Sequence, residues 1–409
     1  MTSVVVTMAV DVVRVYTGGR DGTMRHSDAS DGAAVAMDNH IVNTTLIMRA
    51  RQLHAVNLIC LLVAFITRHR LSTKKHANLP TGDEILQRRY VREEMLHDLL
   101  NSGKCRALIR MSEKAFMTLC NILKRDGGLR PTQRMSIEEH VARFLHIVGN
   151  DFINRFASWL YRRSGSTTSR CLHRVLRAII SLEGRYIQQP KGDIVPKEIH
   201  EKKRFYPFFK ECIGAIDGTH VRVKEGTASD SRIIKNALTR DDKLVIPTGR
   251  YCLVDAGLPH TSTLMTPYRG VRYHLKEYST RAPENSKELF NLRHASLRNA
   301  IERAFGVLKK RFPIIRSTTE PLYSCETQCD IFLACCILHN FLLEEDRDKD
   351  LEDEVIQEVL NGPQEEERHN NTRDICEGST GVDQLRTSIA NEMWTNYLMY
   401  PNNEIDMSK

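Results

Sequence analysis

An apolar stretch that ends in an acidic residue constrains the fold of this chain more than any other feature. Residues 213–216 are small or apolar and predict a buried strand, and Asp217 follows them directly. A buried carboxylate is costly unless it is paired or binds a metal ion. The same order recurs at residues 251–257, where Asp255 ends a second apolar strand. The sequence therefore predicts two strands that each carry an acid at the carboxyl end.

A third acidic residue, Glu302, lies in a long helical pattern over residues 291–312. It flanks the apolar stripe of this helix, so it can reach the carboxyl ends of the strands. Carboxylate oxygens suit Mg²⁺ and Mn²⁺, and two such ions can clamp the attacking and leaving oxygens of a phosphodiester. The three acids indicate a divalent-cation nuclease site, although Asp217 and Asp255 also fit turns and Glu302 a solvated helix face. The stripe consists of Leu297, Ile301, Phe305 and Leu308.

The composition is that of an ordinary soluble protein. The chain has 409 residues, of which 41% are hydrophobic and 27% charged, and this length allows two domains. The net charge of +8 favours an anionic partner. The 11 cysteines are odd in number and form no CxxC pair, which argues for reduced thiols and against a disulfide framework. The one long apolar run, residues 58–66, is far shorter than the ~18 residues that a membrane span needs, so no membrane partner is expected.

Changes in composition along the chain predict its domain organisation. A proline-broken polar segment separates two regions with regular patterns, and an acidic segment follows the second region. The predicted C-terminal helix either packs back on the protein or binds a partner. The predicted segments are an atypical and disordered segment at 1–82, a helical DNA-binding region at 83–187, a linker at 188–210, a nuclease domain at 211–343, an acidic disordered segment at 344–382, and an amphipathic helix with a tail at 383–409.

Basic residues line one face of the last helical pattern before the linker. Arg170, Arg174 and Arg177 recur at helical spacing opposite an apolar face, and residues 166–168 are the expected N-cap. Two helices, a short Ser/Gly turn and a third, basic helix are typical of a helix-turn-helix. In that interpretation the arginines contact DNA phosphates or base edges. A solvated charged face is the alternative.

The acids lie in motifs that resemble the DDE domain of PIF/Harbinger transposases and of the nucleases derived from them. The motifs are GAIDGTH, LVDAG and NAIERAFGVLKKRFPI, and the resemblance extends over residues 88–343. It implies an α/β fold with a ribonuclease-H-like DDE catalytic domain, preceded by an α-helical, helix-turn-helix-like domain. It also implies that Asp217, Asp255 and Glu302 are the catalytic and metal-ligating residues of a two-metal site for Mg²⁺ or Mn²⁺.

The resemblance extends to DNA contacts and partners. Arg269 and Arg272 lie in PYRGVRYH, which is similar to the family's loop between the second acid and the helix. Arg298, Lys309 and Lys310 lie on the helix of the third acid, where phosphate contacts and local salt bridges are both compatible with the pattern. The family implies double-stranded DNA, a Myb/SANT-type partner protein and a homo-oligomer. It also implies the nucleus as location, with the cytoplasm as a second compartment.

The chain departs from the family between its first strand and the next helical pattern. Only residues 224–228 separate them, whereas two antiparallel strands need about 10 residues plus their turns. We therefore expect the DDE domain to lack two antiparallel strands. The strands of Asp217 and Asp255 would remain neighbours, but the first would become an edge with an exposed apolar face. Poor folding or aggregation is expected unless a partner covers that edge.

Three functional hypotheses follow from these patterns. The first is a divalent-metal-dependent DNA endonuclease or transposase, which the three acids favour. The second is a catalytically inactive, domesticated transposase that acts as a DNA- or chromatin-binding adaptor, which the missing strands favour. The third is a decayed element without function. Cleavage of duplex DNA by the purified protein would separate the first hypothesis from the others.

Overall fold

The structure is a computed structural model that describes residues 81–218, 244–273, 278, 281–316, 323–361 and 380–400. The chain divides into two compact units, and the boundary lies between Glu94 and Met95. The smaller unit contributes only residues 81–94 to the described part, as the beginning of helix α1. The predictions for residues 1–80, including the apolar run at 58–66, lie outside the described residues.

Helices make up the described chain before the sheet, as the periodic patterns predict. Three of them, which begin at Glu113, Ile137 and Gly165, have serine N-caps, which satisfy backbone N–H groups that have no partner within the helix. Ser136 accepts a hydrogen bond from the Glu139 N–H at 3.1 Å. These helices are α1 (Gly82–Asn101), α2 (Cys105–Ile109), α3 (Glu113–Arg125), α4 (Ile137–Asn150), α5 (Asn154–Leu160), α6 (Gly165–Ile180), α7 (Glu183–Tyr186) and α8 (Lys197–His200).

The N-cap of α6 differs from the prediction. Residues 166–168 were the expected cap, but the helix begins at Gly165 and Ser164 accepts a hydrogen bond from the Thr167 N–H at 3.3 Å. Both positions offer a hydroxyl, and a sequence pattern alone does not distinguish them. The helix packs against α4 and α5 through its apolar face, so the predicted succession of helix, helix, turn and basic helix is present.

Three parallel strands form the sheet of the described chain. β1 (Cys212–Ala215), β2 (Tyr251–Leu253) and β3 (Leu264–Met265) lie side by side in that order. All their residues are buried, which fits parallel strands covered on both faces. The pairing of β1 with β2 confirms that the strands before Asp217 and Asp255 are neighbours. Because the strands are parallel, both acids follow the same edge of the sheet.

The helices after the sheet include the predicted helix of Glu302. α9 (Ser286–Arg311) contacts β1 and β2, and its expected apolar stripe is buried. α10 (Cys325–Glu345) packs against α6, so the helical region and the sheet share one hydrophobic core. Phe205 and Phe209, from the segment predicted as a linker, are buried in that core. The remaining helices are α11 (Lys349–Asn361) and α12 (Thr380–Met399).

The acidic segment is not disordered throughout. Disorder was predicted for residues 344–382, but α11 lies within this segment and packs against α9. Its buried Val355 fills the space above Gly306, where an added Cβ would come within 2.6 Å of the valine Cγ1. Lys310 of α9 pairs with Glu354 at 2.6 Å and with Glu358 at 2.7 Å. One apolar contact and one basic partner therefore hold a helix whose composition alone favours disorder.

The C-terminal helix packs back on the protein, which was one of the two alternatives for it. α12 lies along α9 and buries Ile389, Ala390 and Met393 in the shared core. Arg386 anchors the helix, because its guanidinium donates to the carbonyl oxygens of Thr266 and Pro267, each at 3.3 Å. The helix thereby also braces the loop that follows β3.

The segment that would hold the two missing strands, residues 224–228, lies outside the described residues. Within the described chain β1 pairs with β2 alone, so it is an edge in that part of the structure. Its apolar residues are nevertheless covered: Ile213 and Ile216 pack with Leu244, Ile246 and Leu258 in a second hydrophobic cluster. The prediction of an exposed apolar face on β1 is therefore wrong. No helix of the described chain combines the length and the apolar character needed to cross a membrane.

Candidate active site

The two strand-end acids are held by their own turns. Asp217 lies two residues beyond β1, and its Oδ1 accepts a hydrogen bond from the Gly218 N–H at 3.0 Å. Asp255 lies two residues beyond β2, and its Oδ2 accepts one from the Gly257 N–H at 3.2 Å. One oxygen of each carboxylate is thus fixed by backbone, and the other is directed to a different partner.

That partner is Arg298, which lies one turn before Glu302 on α9. Its guanidinium nitrogens lie 3.1 Å from Asp217 Oδ2, 2.8 Å from Glu302 Oε1 and 3.9 Å from Asp255 Oδ1. Its Nε donates to the Tyr273 hydroxyl at 2.9 Å. Only 10% of the arginine side chain is exposed. The three predicted acids are therefore brought together from β1, β2 and α9 around one buried positive charge.

The three acids and Arg298 together form a cluster whose net charge is negative. Three ionised carboxylates and one guanidinium leave a net charge of two negative units, within a partly buried space. Burial, together with the negative charges of Glu302 and Asp255, raises the pKa of Asp217 to about 6, although Arg298 opposes this shift. Burial alone would lower the pKa of Arg298, but Tyr273 and the three acids raise it above its ordinary value. The cluster therefore attracts a further cation.

The donor set fits a divalent metal ion. Carboxylate oxygens are the ligands that Mg²⁺ and Mn²⁺ prefer, and the three acids already surround a positive charge. In the described part of the chain, no three His, Cys, Asp or Glu side chains are close enough together to hold an ion without rearrangement. The carboxylates are arranged for the guanidinium of Arg298, so a metal ion would require them to move.

A polar stripe within α9 supports the site. Asn291 is fully buried and bonds to the backbone of Tyr268 in both directions, accepting from its N–H at 2.8 Å and donating to its carbonyl at 3.0 Å. The His294 Nε2 lies 3.0 Å from the Met265 carbonyl oxygen. Together with Arg298, these residues follow each other at helical spacing. Sequence reasoning missed the role of all three, although buried polar residues at that spacing in a helix are a readable signal.

The predicted DNA-binding face of α6 is exposed. Arg170, Arg174 and Arg177 are exposed, and Arg170 and Arg177 donate hydrogen bonds to carbonyl oxygens of α6 itself. Arg174 and Arg177 also border a cleft of about 470 Å³. Arg130, which lines the same cleft, is a basic residue that the sequence reasoning missed. Its position depends on the turn between α3 and α4, which no helical spacing encodes.

The other predicted DNA contacts have intramolecular partners. Arg269 donates to the carbonyl oxygens of Ala256 and Leu258, which supports the turn after Asp255. Arg272 pairs with Glu288 at 2.8 Å. Lys309 is partly buried on α9, and Lys310 pairs with α11 as described above. The assignment of Arg298 as a DNA contact needs correction, because its guanidinium is buried among the acids. The acids and Tyr273 take up its donors in this structure.

Comparisons with known proteins agree with this geometry. Residues 217–340 match the family model for a DDE superfamily endonuclease, and residues 87–181 match a domain of unknown function, DUF8040. The protein named "Putative nuclease HARBI1" from Bos taurus is 25% identical over 279 residues, which cover 60% of this chain and 79% of the relative. The Rattus norvegicus protein of that name is 25% identical over 252 residues, or 54% of this chain and 72% of the relative.

The Homo sapiens protein of the same name is 24% identical over 270 residues, which cover 58% of this chain and 75% of the relative. No solved structure matches the chain. The family model begins at Asp217 and includes Asp255, Arg298 and Glu302, so the matched region is the one in which the acids meet. Residues 217–340 therefore carry a DDE superfamily endonuclease domain, and the chain is similar to the transposase-derived nucleases of the Harbinger family that its motifs resemble.

Proposed function

We propose that this protein is a divalent-metal-dependent DNA endonuclease that hydrolyses phosphodiester bonds with Asp217, Asp255 and Glu302. One observation carries the proposal: acids from two neighbouring strands and one helix converge on a single buried cation. Three ionised acids on one arginine leave excess negative charge, which disfavours the charged state of each acid unless a further cation is present. Such a cluster is suited to binding a metal ion.

The fold supports the same proposal. Parallel neighbours β1 and β2, with α9 packed against them, are the elements on which a ribonuclease-H-like site would carry its acids. The succession of α4, α5 and α6 supports a helix-turn-helix-like region, and the exposed arginines of α6 support its contact with DNA phosphates. Double-stranded DNA is the proposed substrate. The nuclear location, a Myb/SANT-type partner and a homo-oligomer are carried forward as proposals from the family alone.

The residues of the site have distinct roles in the proposed reaction. Asp217, Asp255 and Glu302 would hold Mg²⁺ or Mn²⁺, which when bound supplies a water of lowered pKa and neutralises charge on the phosphate. The backbone N–H groups of Gly218 and Gly257 each hold one oxygen of an aspartate, which limits how far these two ligands have to move when a metal ion binds. Glu302 is the most exposed of the three acids, with 31% of its side chain accessible.

The first prediction concerns cleavage of duplex DNA in Mn²⁺ or Mg²⁺. Asp217→Asn and Glu302→Gln keep side-chain shape but remove a charged ligand, so each should reduce the cleavage rate about 100-fold or more. Glu344→Gln, at an exposed position near the end of α10, is the matched control and should cleave like the wild type. Rates are measured on a labelled duplex at saturating metal. Equal rates in all four proteins would refute the assignment of the acids.

An adaptor without catalytic activity is the second candidate function. The exposed basic face of α6 favours it, because DNA binding through that face does not involve the acids. An adaptor would bind duplex DNA in EDTA and cleave it in neither metal, and Asp217→Asn would leave its affinity unchanged. A well-folded wild type with this behaviour would replace the nuclease proposal.

A further inference from the structure

We propose that Arg298 is a built-in counter-ion of the acidic site, which holds the three carboxylates together in the metal-free protein and competes with the metal ion for them. The inference rests on the proposed function, since it assumes that Asp217, Asp255 and Glu302 bind a divalent metal. It adds a residue that regulates metal affinity.

The positions of the carboxylate oxygens do not allow Arg298 and a metal ion to contact them at the same time. The guanidinium lies 3.1 Å from Asp217 Oδ2 and 2.8 Å from Glu302 Oε1, which are hydrogen-bonding distances. A Mg²⁺ ion binds oxygen at about 2.1 Å. An ion bound to the same two oxygens would therefore lie next to the positive charge of Arg298, with no solvent layer to screen the repulsion. One of the two cations has to withdraw from these oxygens.

Charge explains why a counter-ion is present. Without Arg298 the cluster would have three negative charges in a partly buried space, and like charges there disfavour ionisation. The arginine offsets one of these charges through its ion pairs with Asp217 and Glu302. Its presence should therefore stabilise the metal-free fold and weaken metal binding.

Tyr273 gives the arginine a fixed attachment outside the acids. Its hydroxyl accepts a hydrogen bond from Arg298 Nε at 2.9 Å, on the edge of the guanidinium that does not face Asp217. When metal takes the carboxylates, this bond can retain the side chain nearby. A long side chain tethered at Nε can shift its two terminal nitrogens without a change in the helix.

Arg106 provides a matched comparison within the same protein. It also bridges two carboxylates, with nitrogens 2.5 Å from Asp346 Oδ1 and 3.2 Å from Asp348 Oδ2. Asp346 directly follows α10 and Asp348 directly precedes α11, so both acids lie outside the acidic site. Arg106→Gln removes an equivalent bridging charge and leaves the three carboxylates untouched.

The test measures Mn²⁺ binding without DNA. Arg298→Gln should lower the melting temperature in EDTA by about 3 °C or more, because the acids then repel each other. It should bind Mn²⁺ about tenfold or more tightly than the wild type, by calorimetry or by electron paramagnetic resonance of free Mn²⁺, because a unit charge near the ion is gone. Arg106→Gln should lower the melting temperature and keep the wild-type Mn²⁺ affinity. Mn²⁺ affinity equal to or below that of the wild type in a folded Arg298→Gln protein would overturn the proposal.

A second variant keeps the test decisive if Arg298→Gln fails to fold. Arg298→Lys retains the charge but contacts fewer oxygens, so its Mn²⁺ affinity should lie above that of the wild type; a lower affinity overturns the proposal. Tighter Mn²⁺ binding by the variants, with no DNA cleavage by any protein, supports the exchange and refutes the nuclease. Cleavage by the wild type with unaltered Mn²⁺ affinity in the variants refutes the exchange alone. Absence of Mn²⁺ binding in every protein overturns both.

Discussion

A buried ion pair in the helical region shows how much the fold depends on single polar residues. Arg143 of α4 is completely buried, and its guanidinium lies over the ring of Tyr161, 4.4 Å from the centroid. Glu139 accepts a hydrogen bond from it at 2.6 Å and pairs with Arg163 at 3.1 Å. One carboxylate therefore pairs with two arginines where α4 meets the turn before α6.

Removal of the Glu139 carboxylate should destabilise the fold strongly. Glu139→Ala leaves Arg143 buried without its acidic partner, so the free energy of unfolding should fall by about 3–5 kcal/mol. Urea unfolding followed by circular dichroism measures the loss. The neighbouring Glu138, partly exposed in the same helical turn, provides the control, and Glu138→Ala should cost well under about 1 kcal/mol. Similar losses for both variants would show that Glu139 stabilises the protein only as an acid in the first turn of α4, and not through its ion pair with Arg143.

At the scale of the element, α6 has two faces with separate tasks. Its apolar residues pack on α4, α5 and α10, and its arginines face solvent. Because the exposed residues contribute little packing, the basic face can change without loss of the fold. The helix therefore allows a test of DNA binding that is independent of stability.

Neutralisation of that face should weaken DNA binding and its dependence on salt. The triple variant Arg170→Gln, Arg174→Gln and Arg177→Gln removes up to three phosphate contacts. The slope of log affinity against log salt should then become shallower by about 2–3 units. Fluorescence anisotropy with a labelled duplex in EDTA, at several salt concentrations, gives the slope. A triple glutamine variant at Lys191, Lys197 and Lys203, which are exposed between α7 and β1, removes the same charge. An equal change in both variants would attribute binding to net charge.

At the scale of the whole molecule, one core joins the helical region to the nuclease domain, and buried histidines are distributed through it. Burial lowers the pKa of His140 and His146 to about 4 and that of His294 and His339 to about 3. An unfolded histidine takes up its proton near pH 6.5. Between these values the unfolded chain binds more protons than the folded chain, so stability rises with pH there.

The free energy of unfolding should therefore fall as the pH drops below about 6.5, by about 1.4 kcal/mol per pH unit for each histidine that is fully charged in the unfolded chain. Asp217 acts in the opposite direction, since its raised pKa of about 6 lets the folded state take up a proton first. Four groups oppose this one, so the net effect is a loss. Urea titrations at pH 7.5, 6.5 and 5.5 test it. His173→Gln, at an exposed position on α6, should leave the pH profile unchanged, and a flat profile in the wild type would contradict the prediction.

The sequence predicted what local patterns encode. Apolar runs located β1 and β2, and helical spacing located the buried stripe of α9. Asp217 and Asp255 followed from their positions at the strand ends, and Glu302 from its position beside the stripe. Arg298 was assigned to DNA, because its closeness to Asp217 and Asp255 depends on three elements meeting in space. α11 was missed for a similar reason: its acidic composition favours disorder, while Val355 and the ion pairs to Lys310 stabilise it only once α9 is in place.

The packing of α11 and α12 on α9 has a consequence for the order of synthesis. Translation completes the helix that carries Glu302 before its two covering helices have left the ribosome. During that interval the apolar surface that later contacts Val355, Ile389 and Met393 is open to other nascent chains and to chaperones. A premature stop codon after residue 345 would make this exposure permanent, even though every acid of the site would have been translated.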